Sequence, residues 1–244
     1  MATYQHYESL TTSGGAMPVF ISTPEGREPR PTVLVIQGMH GVEAFELSVA
    51  ERLAEHGFVG VVPDLFHRGP ACFSRSDLDN RRRAMADPQR ISDLTLTISY
   101  LKTQPYVDAH HLGIIGFCMG GRMSYLMAGT SPEIKVAACF YGGGILLGEQ
   151  GPSPLELTPN IRCPVALFDG EEDTHPSPDE VRGIGAELAR HGIPHEVHIY
   201  PGVGHGYMGA QGAGRRQDVI DESWTSLIAW IERYLVGELA AAPR

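Results

Sequence analysis

One stretch, Ile114-Ile115-Gly116-Phe117-Cys118-Met119-Gly120-Gly121, restricts this chain more than any other. The apolar run Leu112 to Ile115 reads as a buried strand, and Arg122 to Ala128 as a helix. Between them stands a Gly-x-Cys-x-Gly turn. So sharp a passage from strand to helix strains the residue at its apex. The neighbours two positions away must lack side chains so that strand and helix can pass closely. This is the setting of a nucleophile elbow, with Cys118 at the apex. The turn also puts the thiol at a helix N-terminus, where free N–H groups and the helix dipole favour a thiolate or an oxyanion. Taken alone, the pattern fits a buried structural cysteine equally well.

The rest of the chain supplies the context. Thr32 to Ile36 is a β-branched run of the kind buried on both faces of a sheet, closed by Gln37-Gly38-Met39-His40-Gly41. Phe45 to His56 has the spacing of a helix packed on a sheet, stopped by Gly57. Further strands are expected at Phe58–Val62, Val136–Tyr141, Val165–Phe168 and Glu196–Tyr200, with edge strands such as Met17–Ser22 before them. Helices are expected at about Pro88–Lys102, Pro178–His191 and Gln217–Val236. Leu65 to Asp87 is polar, arginine-rich and weakly periodic, the best candidate for a loop or cap over a pocket. Gly148–Pro159 reads as a surface loop. Strands of four to seven residues alternating with helices predict an α/β fold: one mostly parallel central sheet with helices on both faces, in a single domain over residues 1–244.

Composition narrows the partners. The net charge of −10 argues against nucleic acid or an anionic membrane, and Arg81-Arg82-Arg83 is too short a basic cluster to outweigh it. No stretch approaches 18 apolar residues, so no membrane span is expected. The four cysteines, Cys72, Cys118, Cys139 and Cys163, contain no CxxC pair, which leaves no zinc framework or disulfide scaffold. Met1 to Thr12 is polar and lacks a signal pattern, so a reducing cytoplasm is the expected setting. No metal or other cofactor is expected. A monomer or a homodimer is.

In such a sheet, sites form beyond the carboxyl ends of the strands. Chemically capable residues stand at four such ends: Gly38–His40, Cys118, Asp173 and His205. The order nucleophile, acid, histidine is that of an α/β-hydrolase. His205, in a Gly-His-Gly turn, would take the thiol's proton and return one to the leaving group. Asp173 would orient the imidazole, although Asp169, Glu171 and Glu172 compete for that role in the same acidic loop. The N–H groups of Met39 and Met119 are candidates for an oxyanion hole. Tyr141, His40 and Phe66 are candidate pocket-lining residues, each also readable as plain packing.

Taken together, these segments resemble the dienelactone hydrolase family. The resemblance rests on Val35 to Gly41, Val62-Pro63-Asp64-Leu65, Gly116 to Gly121, Tyr141-Gly142, Gly170 to Asp173 and Gly204-His205-Gly206, in the right order over most of the chain. It implies a single-domain α/β-hydrolase fold and hydrolysis of a small ester or lactone, the carboxymethylenebutenolidase class, with Cys118, Asp173 and His205 as triad. Two departures stand out. Dienelactone-cleaving members carry Glu where this chain has Gly38, so His205 would activate Cys118 alone or with help from His40. They also place a carboxylate-gripping Arg four residues after the triad His, where Gly209 stands here. Arg81 is the candidate substitute, with Arg75, Arg82, Arg83, Arg215 and Arg216 as alternatives. Two other readings keep the fold: an acyltransferase or thioesterase on the same triad, and a non-catalytic ligand-binding member.

Overall fold

A computed structural model describes residues 2–26, 28–69, 86–148 and 151–237. The chain opens with an antiparallel hairpin, β1 (Thr3–Thr12) and β2 (Gly15–Pro24), whose register pairs Thr3 with Pro24 and Thr12 with Gly15. The strands that follow are β3 (Arg30–Ile36), β4 (Val59–Pro63), β5 (Val107–Phe117), β6 (Ile134–Phe140), β7 (Val165–Gly170) and β8 (His195–Tyr200). They form one sheet in the order β1-β2-β4-β3-β5-β6-β7-β8. From β4 to β8 every pairing is parallel, while β2 meets β4 antiparallel.

The helices are α1 (Ala44–Glu55), α2 (Asp87–Leu101), α3 (Met119–Thr130), α4 (Pro178–Arg190) and α5 (Gln217–Ile231). Alternation along the strands divides the core in two. Leu34, Ile36, Leu112 and Ile114 point to one face, where Leu94 and Ile98 of α2, Met123 and Leu126 of α3, and Ile184 and Leu188 of α4 cover them. Val33, Val35, Ile115 and Phe117 point to the other, against Val49 and Leu53 of α1 and Trp224 and Leu227 of α5. Each such side chain, fully buried, contributes roughly 1.5–3 kcal/mol of hydrophobic stabilisation. The expected α/β architecture, with helices on both faces, is the one observed.

Two local readings change. The segment Gly148–Pro159 holds a 3-10 helix, Pro154–Asn160, because Ser153 caps Glu156 N–H while the Glu156 carboxylate takes Ser153 N–H at 2.7 Å. Its Thr158 then meets the Tyr125 hydroxyl of α3 at 2.8 Å. The elbow strand is also longer than its apolar run, since β5 begins at Val107 and pairs with Arg30 before its core portion starts. Of the Leu65–Asp87 segment, residues 70–85 lie outside the described residues, and with them Arg75, Arg81, Arg82 and Arg83.

Candidate active site

The elbow is built by close approach. Cys118 follows β5 with φ 55° and ψ −115°, a strained combination for a residue with a side chain, and α3 begins at the next residue. A Cβ on Gly116 would lie 2.1 Å from Gly120 O, and one on Gly120 would lie 2.1 Å from Ile36 O. Neither position has room for a side chain, so strand, helix and the end of β3 are locked together. Hydrogen bonds hold the strained residue: Cys118 N–H donates to Phe140 O (3.0 Å), and Arg122 N–H donates to Cys118 O (3.2 Å).

Strand order brings the partners in. β7 and β8 are neighbours paired through Gly170 and Tyr200, so the loops beyond them meet. Asp173 is 4% exposed there, and its Oδ2 lies 2.8 Å from His205 Nδ1. Asp173 Oδ1 accepts a second bond from His175 N–H at 2.8 Å, which fixes the carboxylate. His205 and Cys118 line the same cavity. With Nδ1 used by Asp173, Nε2 is the nitrogen left to face the thiol.

Electrostatics follow from this arrangement. Burial alone would lower the His205 pKa. The hydrogen bond to Asp173, and then the interactions with Cys118 and the charge of Asp173, outweigh it and raise the ring to about 10. The imidazolium form is therefore held through neutral pH. Tyr141 bridges the gap between β5 and β7. Its φ is 38°, its N–H donates to Phe168 O at 2.8 Å, and its ring meets His205 edge-on at 5.2 Å. Burial, then the charges of Tyr207, Cys118, Glu46 and Asp169, push its phenol well above the usual range, so it stays neutral.

The described residues wall a cavity of about 260 Å³ lined by Met39, Cys118, Met119, Arg122, Gly143, Asp173, Thr174, His175 and His205. This brings together both oxyanion-hole candidates and all three triad candidates. His40 and Phe66 lie elsewhere, in a polar cleft shared with Asp64 and His67. Arg215 and Arg216 are exposed and bond to Gln217 and Asp218, so neither reaches the cavity. Arg81 is outside the described residues. A hollow of about 310 Å³ at the amino ends of β3, β4 and β5 includes Tyr4, His6 and Tyr106 but no cysteine or serine among its described lining residues. Chemistry rather than size singles out the Cys118 cavity.

Sequence reasoning missed three contributors. Arg122, one turn beyond Cys118 on α3, lines the cavity with its charge fully engaged. Its guanidinium grips Asp87 through two 2.8 Å bonds and donates to Gly144 O and Leu147 O. Helical spacing from the elbow would have found it. His175 lies two residues from Asp173, a proximity that also could have been used. Glu46 is buried on α1, with Oε2 accepting from Glu43 N–H at 2.9 Å and Oε1 from Gly38 N–H at 3.5 Å. It ties down the loop that carries Met39, and burial raises its carboxyl against the lowering effect of those N–H groups. Nothing in the periodicity of α1 signals that role. Among the described residues no group of three or more His, Cys, Asp or Glu is arranged to hold a metal, and no helix is long and apolar enough to cross a membrane.

A strained cysteine elbow and an Asp-His pair meeting beyond the carboxyl ends of a parallel sheet match a known pattern. The dienelactone hydrolase family model aligns with residues 17–235. The chain belongs to the dienelactone hydrolase family. A Synechocystis protein named "Putative carboxymethylenebutenolidase" is 30% identical over 84% of this chain and 87% of its own length. A Salmonella typhimurium protein of the same name is 26% identical over 93% and 86%. Among solved structures, one titled "Putative Dienelactone Hydrolase" from Klebsiella pneumoniae superposes with a TM-score of 0.87 at 26% identity, over 96% of this chain and all (100%) of that one. The family's α/β-hydrolase fold is the fold of this chain.

Proposed function

We propose that this family member hydrolyses small carboxylic esters or lactones through Cys118, His205 and Asp173. The observation that carries the reading is the cavity where strained Cys118 meets His205, whose Nδ1 is held at 2.8 Å by buried Asp173. The relatives' carboxymethylenebutenolidase names support a lactone or ester as substrate class.

The Cys118 thiolate attacks the acyl carbon and forms a C–S bond, while the carbonyl oxygen gains charge opposite the Met39 and Met119 N–H groups. Collapse of the tetrahedral species breaks the C–O bond, and the His205 imidazolium protonates the departing alkoxide. Neutral His205 then accepts a proton from water, which attacks the thioester and releases the acid and the thiolate. Asp173 keeps the ring in one orientation through both halves.

Cavity chemistry favours uncharged acyl groups. Methionine side chains line it, and Arg122, a cation in its wall, is fully engaged with Asp87 and backbone carbonyls. A carboxylate-bearing dienelactone finds no free Lys or Arg among the described lining residues. A charge-assisted contact is worth about 1.5–3 kcal/mol.

The test compares wild type with Cys118→Ala on short p-nitrophenyl esters and a dienelactone. Turnover of neutral esters is expected in wild type, slower turnover of the anionic lactone, and a loss of at least about a thousandfold in the variant. Equal rates in the two proteins would overturn the reading.

A further inference from the structure

The wall of the Cys118 cavity holds polar side chains that the hydrolysis outlined above leaves unused. Cys118, Asp173 and His205 are committed to the chemistry, and Arg122 directs its donors to Asp87, Gly144 O and Leu147 O. Thr174 and His175 remain. Both are exposed, and among the described residues neither side chain has a hydrogen-bonding partner.

His175 is the better placed of the two. Its main chain is anchored, since its N–H donates to Asp173 Oδ1 at 2.8 Å. Its ring reaches across to the loop after β6: a Cβ on Gly143 would lie 2.7 Å from His175 Cδ2 and 2.9 Å from Nε2. Gly143 lines the same cavity, so the ring closes its wall between the loops after β6 and β7. In either neutral tautomer one ring nitrogen carries a proton, and the imidazolium carries two. The ring is therefore a donor whose acceptor has to come from outside the protein. A substrate oxygen replaces the water that solvates it, whereas an alkyl group strips that water and returns no bond. A carboxylate is the poorer guest, because the Asp173 carboxylate is bonded to the N–H of this same residue.

We propose that His175 is a specificity-determining residue whose imidazole N–H donates to an uncharged oxygen, a ketone or an ether, on the acyl group of the substrate. The preferred substrates are then oxo- or alkoxy-acyl esters and lactones rather than plain alkyl ones. This deepens the hydrolytic reading and rests on it for the kinetic test below, but not for the binding test.

The kinetic test takes the ratio of kcat/KM on p-nitrophenyl 4-oxopentanoate to that on p-nitrophenyl 4-methylpentanoate, a ketone oxygen against a methyl group. Intrinsic reactivity cancels when this ratio is compared between proteins. His175→Phe keeps a ring and the main-chain bond to Asp173 but removes the donor, and should lower the ratio about two- to tenfold. His175→Gln, which keeps an N–H donor, should recover part of it. Gly143→Ala should lower it too, because the new methyl group displaces the ring. The binding test uses Cys118→Ala, which forms no acyl-enzyme, and the two corresponding ethyl esters. Adding His175→Phe should shift the ratio of their Kd values about two- to tenfold toward the alkyl ester. If no ester is turned over, the hydrolytic reading falls and the binding test still decides. A ratio unchanged by His175→Phe in either test overturns the proposal, as does the absence of both turnover and binding. So does a ratio that falls in Thr174→Val but not in His175→Phe, which would assign the contact to Thr174.

Discussion

His205 and His67 both stand beyond the carboxyl ends of parallel strands, yet their rings are held for different ends. His67, after β4, has both nitrogens taken by structural partners: Nδ1 lies 2.9 Å from Asp64 O and Nε2 lies 2.8 Å from Thr12 Oγ1. It fastens the turn to the hairpin. His205, after β8, is held on one nitrogen by a buried carboxylate and lines the cavity that also holds Cys118. A fixed histidine is thus not enough to make a reactive site. What distinguishes His205 is a buried carboxylate on Nδ1 and a place beside the strained Cys118 in one cavity.

The largest expected effect separates these roles directly. His205→Gln should lower kcat/KM on p-nitrophenyl acetate by about 10²- to 10⁴-fold, the usual worth of a general acid–base. His67→Gln should leave it within about twofold, since surface changes away from the chemistry are close to neutral. Similar losses in both variants would dissolve the distinction.

A smaller effect concerns pH. His205 is raised from its ordinary value to about 10, so its contribution to stability is complete below about pH 6.5 and is lost as pH climbs through 10. The Tm advantage of wild type over His205→Gln should therefore shrink between pH 7 and pH 10. A gap constant over that range would mean that the imidazolium is not held by its neighbours.

The smallest effect should come from Thr12→Val, which removes one partner of His67. A loss of about 1 kcal/mol in urea unfolding is expected, with unchanged turnover. A fall in turnover would mean that the hairpin reaches the reactive end of the molecule.

Much of this architecture was legible because its signals are local. The β-branched run at Thr32–Ile36 and the glycines around Cys118 encode burial and close approach within a few residues, and these readings agree with β3 and the elbow. The 3-10 helix after Ser153 was missed although Ser153 and Glu156 carry a capping box, because proline and glycine nearby read as loop. His40 follows Met39 in sequence and so looked like a pocket residue, but successive residues in a turn face different ways, and it borders the His67 cleft.

By itself, the sequence determined the alternation of strands and helices, the strained position of Cys118, and the order of Cys118, Asp173 and His205 along the chain. These depend on side-chain periodicity and on the steric needs of a turn. Only the tertiary structure decided which carboxyl of the Asp169–Asp173 loop meets His205, that Arg122 is engaged by Asp87, and that Glu46 braces the Met39 loop. Those outcomes depend on contacts between segments distant in sequence, which the pairing of β7 with β8 and the packing of α1 and α2 create, and on burial, which sets where protons reside.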